Sequence, residues 1–278
     1  MSGRFVLEAI GGLGNRMRAL DSAIGFCKKY DKELYLVWPL FKGLNCPFDN
    51  LFEKPDIVQS LSSPSEYSTF KIIRNLKVAR RKIARNFYFF TYDKVINKKQ
   101  VYALIEQEYD FHNLASFETI RLQSDQKFFQ AETPYKDFKP VPKLAKKIAN
   151  LRKELSTSNA IGIHIRRTDH VWAIKHSPTK KFIKLMGEEV DRDPTTKFFL
   201  ATDSPEEERI LSEKFGDKIV TYRKSSLNRE SLEGIQEALV DMYMLASTKK
   251  IIGSFDSSFS EVAAELGQIP LIVIGNTN

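Results

Sequence analysis

Apolar and polar positions in the first forty residues follow the order strand, turn, helix, strand. Residues 5–10 and 33–38 are short, mainly apolar runs of the kind that forms buried strands. Between them, residues 16–29 carry apolar side chains three and four positions apart, which is the spacing of an amphipathic helix. This order predicts two parallel strands joined by a right-handed crossover.

The same alternation of short apolar runs and helical periodicity continues through the second half of the chain. The predicted helices cover residues 144–155, 180–190, 205–215, 235–246 and 259–266, and the predicted strands cover residues 160–165, 198–203, 218–221, 250–253 and 271–274. Strands that alternate with helices in this way indicate a doubly wound parallel sheet.

The segment between residues 41 and 130 has a weaker pattern, with one clear amphipathic stretch. Its apolar face is Ile72, Leu76, Ala79, Ile83 and Phe87, and its opposite face carries Arg74, Lys77, Arg81 and Arg85. One interpretation is an ordinary surface helix with a solvated basic side. The other is a face that contacts an anionic membrane or an acidic acceptor.

Three prolines punctuate a polar stretch, residues 132–143, which we interpret as a hinge between domains. We therefore predict a Rossmann-like domain over residues 1–138 and a second one over residues 139–278. Two similar α/β halves that face each other across a cleft are the simplest architecture for this pattern.

Composition and charge narrow the class of protein. The 278 residues carry a net charge of +8, which favours anionic partners such as nucleotides, anionic lipids or nucleic acid. No apolar run approaches the ~18 residues of a membrane span, and no secretory signal is visible. The two cysteines form neither a disulfide framework nor a metal spacing, so a cytoplasmic location is predicted.

The most informative local motif is the run of residues 161–169, Ile-Gly-Ile-His-Ile-Arg-Arg-Thr-Asp. It predicts a strand that ends in Arg166 and Arg167, at the sheet edge where α/β proteins bind ligands. Arginine suits phosphate because its planar fork of donors matches phosphate oxygens and keeps its charge. The alternative is a solvated turn without a ligand.

The glycine-rich turn after the first strand is a second candidate anion site. Gly12 and Gly14 let the backbone approach a ligand, and the helix that follows offers free N–H groups. A dinucleotide fingerprint is disfavoured, since Met17 occupies the position of its third glycine and no acidic residue ends the next strand. A Walker motif is absent.

A third strand-to-helix turn, residues 253–260, is rich in small hydroxyl residues. Ser257 and Ser258 could hold phosphate or ribose, or could simply cap the following helix. On the preceding predicted helix, Asp241 could accept hydrogen bonds from a guanine base, or it could be an ordinary surface residue. Asp191-Arg192-Asp193 is interpreted as a turn rather than a metal site, and the four histidines are widely spread.

These motifs, in this order, resemble the fucosyltransferase superfamily, which includes α-1,6-fucosyltransferases, rhizobial nodulation fucosyltransferases and protein O-fucosyltransferases, with α-1,2 enzymes as distant relatives. The resemblance rests on Gly-Gly-Leu-Gly-Asn-Arg at residues 11–16, His-Ile-Arg-Arg-Thr-Asp at residues 164–169, Ala-Thr-Asp at residues 201–203, Asp241, and Ser257-Ser258. It implies an α/β, GT-B-like fold and GDP-fucose as the donor. It also implies inversion at the anomeric carbon and no metal or other cofactor.

The resemblance also implies roles for individual residues. The donor would be bound by Gly12, Gly14, Asn15, Arg16, His164, Arg166, Asp203, Asp241, Ser257 and Ser258. Arg166 would contact the β-phosphate, Arg167 would support the site and the developing charge, and His164 and Asp241 would contact guanine. The catalytic set would be Arg166, Arg167, Asp169 and His170.

One departure from the family affects the general base. Ile174 stands where the α-1,6 enzymes place a glutamate, so His170 is our first candidate and Asp169 our second. The predicted function is transfer of fucose to a glycan, either a bacterial-type surface polysaccharide or a lipid-linked precursor. The protein would act at the inner face of the membrane, held by the basic stretch near Arg74 and Arg85.

Two alternatives stay open at this stage. The same fold could use another nucleotide sugar, because the arginine pair recognises only the diphosphate. A basic nucleic-acid-binding protein is disfavoured, since the charge is scattered and no aromatic-rich recognition motif is present.

Overall fold

Two five-stranded parallel sheets organise the chain, one in each of two units. The computed structural model describes residues 3–41, 43–62, 92–156, 159–168, 171–228 and 230–275. The first unit comprises Met1–Val141 and Arg229–Ile235, and the second comprises Pro142–Asn228 and Gln236–Asn278.

The first sheet has the strand order β3-β2-β1-β5-β4. Its strands are β1 (Gly3–Ala9), β2 (Lys32–Val37), β3 (Val58–Ser62), β4 (Lys94–Ile96) and β5 (Thr119–Ser124). Each neighbouring pair is parallel, and β1 pairs with both β2 and β5 over most of its length. The predicted parallel βαβ unit at the start of the chain is thereby confirmed.

Among the described residues, two helices accompany the first sheet, α1 (Leu13–Tyr30) and α2 (Lys98–Glu106), together with short 3-10 turns at Phe48–Asn50 and Phe111–Ser116. Helix α1 packs so closely that a Cβ on Gly25 would lie 2.7 Å from the Cα of Ala131. Helix α2 starts with a capping box between Asn97 and Gln100, which satisfies two backbone N–H groups at its first turn.

The second sheet has the strand order β10-β9-β6-β7-β8. Its strands are β6 (Ile161–Ile165), β7 (Phe198–Thr202), β8 (Ile219–Val220), β9 (Ile251–Ser254) and β10 (Leu271–Ile274). All residues of β6, β7 and β9 are buried, as expected for parallel strands covered on both faces. This is why they appear in the sequence as continuous apolar runs.

Helices surround this sheet in the doubly wound manner. They are α3 (Pro142–Leu155), α4 (Val171–His176), α5 (Thr179–Arg192), α6 (Pro205–Phe215), α7 (Leu232–Leu245) and α8 (Ser258–Gly267). Phe182 and Met186 of α5 and Leu211 of α6 pack into the buried cluster formed with the strands. Helix α6 begins with Ser204 as N-cap, Pro205 next and three glutamates in its first turn, a strong start signal.

The predicted α/β class and the predicted strands and helices of the second half are confirmed, with ends that differ by a few residues. Four elements between residues 41 and 130 were not predicted, namely β3, β4, β5 and α2, and neither was the short α4. Asp191 and Arg192, predicted to lie in a turn, instead form the last residues of α5. The basic stretch of residues 72–87 lies outside the described residues.

Within the described part of the chain, no helix has the length and apolar character needed to cross a membrane.

Both cysteines are buried free thiols in the first unit. Burial raises the pKa of Cys46 to about 12 and raises the pKa of Cys27 as well.

Candidate functional site

The second sheet has a topological switch point between β6 and β9. From β6 the chain adds β7 and β8 on one side, and then returns to add β9 and β10 on the other. Successive helices therefore leave β6 and β9 toward opposite faces, which opens a crevice at the carboxyl ends of these two strands. The predicted turn with Arg166 and the predicted serine-rich turn follow β6 and β9, so the fold brings both to this crevice.

The backbone of Arg166 is tied to the end of β9. Its N–H donates to Ser254 Oγ at 3.1 Å, and the same hydroxyl donates to the carbonyl oxygen of His164 at 3.3 Å. Ser254 is buried, so this bridge fixes the two strand ends at the switch point. The half-buried side chain of Arg166 is thereby anchored at its base.

Arg167, in contrast, is held by protein groups through its whole guanidinium. Nε donates to Glu207 Oε1 at 2.6 Å, Nη1 donates to the Arg166 carbonyl at 3.0 Å, and Nη2 donates to the Ser177 carbonyl at 3.0 Å. Nη2 also contacts Thr179 Oγ1 at 3.3 Å. With so many of its donors engaged, Arg167 supports the turn that presents Arg166.

Asp203, a predicted donor-binding residue, holds the same turn from the end of β7. Its carboxylate accepts the Arg167 N–H at 2.8 Å and the Thr168 hydroxyl at 2.7 Å. Burial raises the pKa of Asp203, but these hydrogen bonds and the charge of Arg166 outweigh burial and leave the pKa below its usual value. Asp203 is therefore an ionised brace for the arginine turn.

His164 lies on β6 with its imidazole buried. Its Nδ1 is 2.7 Å from Ser260 Oγ of α8, and its ring stacks on Phe259 with 4.7 Å between centroids. Stacking and this hydrogen bond together fix the orientation of the imidazole at the switch point.

The serine-rich turn leads into α8. Ser257 is the N-cap residue by backbone position, yet its side chain makes no capping hydrogen bond. Ser258 is the first residue of α8. The alternative in which a serine side chain caps this helix therefore does not apply to Ser257. Its hydroxyl and the first N–H groups of α8 are the donors that this turn offers to an anion.

Asp241 is buried on α7, so the alternative of a surface residue is wrong. Its Oδ2 is 2.7 Å from Lys224 Nζ, and both side chains are more than nine-tenths buried. Among the described residues, Oδ1 has no hydrogen-bond partner. Burial raises the pKa of Asp241 despite the nearby lysine.

The height of Asp241 along the sheet follows from one close contact. A Cβ on Gly162 would lie 2.9 Å from Leu245 Cδ2, so the end of α7 lies against the start of β6. Asp241 is four residues before Leu245, about 6 Å along the helix, and His164 is two residues after Gly162, about 6.6 Å along the strand. Asp241 therefore lies near the level of His164.

The glycine-rich turn of the first unit also follows a switch point, since β1 lies between β2 and β5. Gly11 has φ +86°, and a Cβ there would meet Asn15 at 2.9 Å. Gly12 is the N-cap of α1 without a side-chain cap, and a Cβ there would meet nothing within 4 Å. Gly14 and Asn15 lie in the first turn of α1, where N–H groups are free of helical partners.

Arg16 is fully buried beside this turn. Its Nε donates to the Gly11 carbonyl at 2.8 Å, and its guanidinium lies 4.8 Å from the ring centroids of both Trp38 and Phe41. Burial lowers the pKa of Arg16 to about 9. Neither terminal nitrogen has a hydrogen-bond partner among the described residues. As placed, Arg16 braces the turn through Gly11.

Two of the predicted catalytic residues, Asp169 and His170, lie outside the described residues. Ile174, which replaces the family glutamate, is exposed on α4.

No group of acidic, histidine or cysteine side chains suited to a metal ion occurs within the described ranges. Asp193 of the Asp-Arg-Asp motif accepts hydrogen bonds from Thr195 at the end of α5.

The structure adds residues that sequence reasoning missed. Ser254, Glu207, Ser260 and Lys224 each contact a predicted site residue through a hydrogen bond or ion pair. Only Ser254 and Ser260 carried a signal, since they lie in the serine-rich run of residues 253–260. Glu207 is 40 residues from Arg167, and nothing local marks it as a partner.

Two parallel sheets, each followed by a turn at its switch point, place this chain in the class of open α/β folds that bind ligands at the carboxyl ends of their strands. No protein-family model matches the sequence, and no curated protein is similar to it in sequence. Solved structures do share the fold. The α-1,6-fucosyltransferase NodZ, soaked with GDP-fucose, matches with a TM-score of 0.67 and 17% identity over 96% of this chain and 93% of that chain.

Two further similar structures are fucosyltransferases as well. FUT1 of Arabidopsis thaliana in complex with GDP matches with a TM-score of 0.60 and 15% identity, over 98% of this chain and 70% of that one. POFUT1 in complex with GDP matches with a TM-score of 0.56 and 11% identity, over 99% of both chains. The predicted GT-B-like fold class and the resemblance in fold are confirmed; the placement of two domains across a cleft stays a prediction.

Proposed function

We propose that this protein is a glycosyltransferase that transfers fucose from GDP-fucose to a glycan acceptor with inversion at the anomeric carbon. The observation that carries the proposal is the turn after β6. There, Ser254 and Asp203 anchor the backbone and Arg167 is engaged by protein groups, so that Arg166 is presented at the switch point. The fold shared with GDP-bound fucosyltransferases supports the choice of donor.

The chemistry follows from where negative charge develops. As the bond between fucose and the β-phosphate breaks, the leaving diphosphate gains charge. A pre-positioned cation and the amino terminus of α8 stabilise that charge without reorganising. We assign Arg166 and Ser257 to the diphosphate, with Ser258 beside them. Because these groups supply positive charge, a divalent ion is not required for this role.

The base of the donor would lie deeper along the crevice. His164 offers a stacked, hydrogen-bonded ring, and Asp241 offers a buried carboxylate oxygen near the same level. A guanine presents adjacent N–H donors that such a carboxylate accepts. We assign His164 and Asp241 to the base, and the residues 139–278 to the donor domain.

The remaining assignments come from the sequence resemblance. Residues 1–138 would form the acceptor-side domain, in which Gly12, Gly14, Asn15 and Arg16 approach the diphosphate. His170, or else Asp169, would accept the proton of the acceptor hydroxyl. The acceptor would be a surface polysaccharide or a lipid-linked precursor at the cytoplasmic face of the membrane.

The deciding experiment is thermal unfolding with a panel of nucleotides and nucleotide sugars, with and without EDTA. A ligand present at about 100 times its dissociation constant should stabilise the protein by roughly 2.7 kcal/mol. We expect GDP and GDP-fucose to stabilise it, UDP and ADP species not to do so, and EDTA to change nothing.

Each other outcome has a definite meaning. If a different nucleotide stabilises the protein, the assignment of Arg166 to the diphosphate remains, but the donor is not GDP-fucose. A requirement for metal would contradict the assignment of the charge-stabilising role to Arg166 and α8. The absence of stabilisation by any nucleotide would overturn the proposed function.

A further inference from the structure

The short helix α4 exposes an unusual amount of apolar surface. Val171 is 74% exposed, Trp172 is 58% exposed and Ile174 is 44% exposed, whereas Ala173 is buried. These three residues are among the seven most exposed large hydrophobic side chains of the described chain. A cluster of this kind on a six-residue helix marks a binding surface more often than a scattered single residue does.

The indole of Trp172 is held in place rather than left loose. It stacks on His176 with 5.6 Å between centroids and 23° between planes, and His176 packs in turn on Phe255 at 4.8 Å. Lys175 Nζ lies 5.4 Å from the indole centroid. A ring that is already ordered loses little conformational entropy when a ligand covers it.

This three-ring stack is connected to the proposed donor site by hydrogen bonds. Phe255 belongs to the serine-rich turn, and its N–H donates to Ser177 Oγ at 2.8 Å. The carbonyl of Ser177 accepts a hydrogen bond from Arg167 at 3.0 Å. Trp172 is five residues before Ser177, about 7.5 Å along a helix. Helix α4 and the arginine turn are therefore connected through Ser177, which contacts both Phe255 and Arg167.

We propose that Trp172, backed by His176 and Phe255, is an acceptor subsite that binds a pyranose ring of the glycan. A pyranose has a face of C–H groups that packs on an aromatic plane, and its hydroxyls need polar neighbours such as Lys175 and His176. An acyl chain would have no use for these polar groups. This inference rests on the proposed function, because the subsite would hold the acceptor of that reaction.

The chain offers a built-in probe for this subsite. It contains two tryptophans, and Trp38 is fully buried. Fluorescence that acrylamide quenches therefore reports mainly on Trp172. The protein, saturated with GDP, would be titrated with methyl glycosides and short oligosaccharides of common pyranoses while quenching is measured. We expect at least one sugar to protect the emission, so that quenching falls toward the level of buried Trp38.

Variants separate stacking from general surface effects. Trp172→Ala should weaken that sugar by roughly tenfold, which corresponds to the loss of one aromatic contact, and Trp172→Phe should restore most of the affinity. Binding of the sugar to these variants would be followed by ligand-observed NMR. Leu227→Ala, at a residue that is 37% exposed and outside α4, is the matched control and should bind as the unmodified protein does.

The controls also distinguish failure of the subsite from failure of the proposed function. GDP affinity should be the same in Trp172→Ala and in the unmodified protein. If GDP binds but no sugar protects Trp172, the subsite is wrong and the donor site stands. If GDP does not bind, the proposed function fails, and the same titration without GDP decides the subsite. If anionic vesicles shift the emission and sugars do not, the exposed surface of α4 binds a membrane rather than a glycan, and the proposed subsite is wrong.

Discussion

Lys224 Nζ lies 2.7 Å from Asp241 Oδ2 in an ion pair that is almost completely buried. The lysine also lies over the ring of Tyr222, 5.6 Å from its centroid, while Lys147 lies over the same ring at 5.0 Å. Lys147 pairs in turn with Glu237, one helical turn before Asp241. Burial and the two nearby carboxylates raise the pKa of Tyr222, so its hydroxyl stays protonated.

Lys224→Met should destabilise the protein, because it leaves the Asp241 carboxylate buried without its charge partner. Breaking a buried pair from one side costs about 3–5 kcal/mol. Urea unfolding at neutral pH would measure the loss. The double variant Lys224→Met with Asp241→Leu should recover most of it, since well-packed apolar replacements of a buried pair are close to neutral. A double variant as unstable as the single one would contradict this.

The pH dependence of the same variant has a definite sign. A carboxyl group with a raised folded-state pKa stabilises the protein at low pH and loses that contribution as the pH rises through the raised value. Without Lys224 the pKa of Asp241 should rise further. The deficit of Lys224→Met relative to the unmodified protein should therefore be largest at neutral pH and shrink toward about pH 4.

Substitution of the two adjacent arginines should affect different properties, activity for Arg166 and stability for Arg167. Arg166→Ala should lower transfer activity by ~10²–10³-fold, as expected for the loss of one electrostatic donor, with little change in stability. Arg167→Ala should lower the free energy of unfolding by about 3–5 kcal/mol, because the buried Glu207 loses its partner. Enzyme assays and urea unfolding on both variants test this division, and equal effects on stability would refute it.

Gly11 and Gly12 form a second matched pair. Gly11→Ala is strained by its positive φ and by the contact with Asn15. It should therefore destabilise the first unit by about 1–3 kcal/mol, the usual cost of a strained backbone conformation. Gly12→Ala has room for its Cβ and should leave stability unchanged. Urea unfolding of both variants measures this difference, and equal losses of stability would contradict it.

Asp203 should contribute to acid stability. Its pKa is lowered in the folded state, so its stabilisation is present above the unfolded value of about 3.9 and is lost as the pH falls through the lowered value. Asp203→Asn should therefore destabilise the protein at neutral pH, and the difference from the unmodified protein should shrink below about pH 4. Thr168→Ala, which removes one hydrogen bond to the same carboxylate, should show a smaller effect of the same sign.

The second sheet could be predicted from the sequence because its inner strands are buried on both faces. Residues 161–165 and 198–202 are therefore apolar at every position, apart from His164 and Thr202. The first sheet was harder, since β3 buries only one residue fully and β4 has three residues in all. These strands are stabilised by neighbours distant in sequence, which no local pattern shows.

The candidate site, like the fold, could be predicted only in part from the sequence. The turns around Arg166 and Gly12 were predicted, because a strand followed by a turn and a helix fixes which sheet edge they occupy. The ion pair of Asp241 was not predicted, because Lys224 lies in an irregular segment and is 17 residues away along the chain. Pairing of this kind depends on tertiary packing rather than on spacing.

The two buried thiols make the protein a convenient host for chemical labels. Only thiolates react readily with maleimides, and burial keeps both Cys27 and Cys46 protonated and out of reach. A single substitution at an exposed helix position, such as Glu213→Cys on α6, would then create the one readily reactive sulfur of the chain. A fluorophore or spin label could be attached there without first removing either native cysteine.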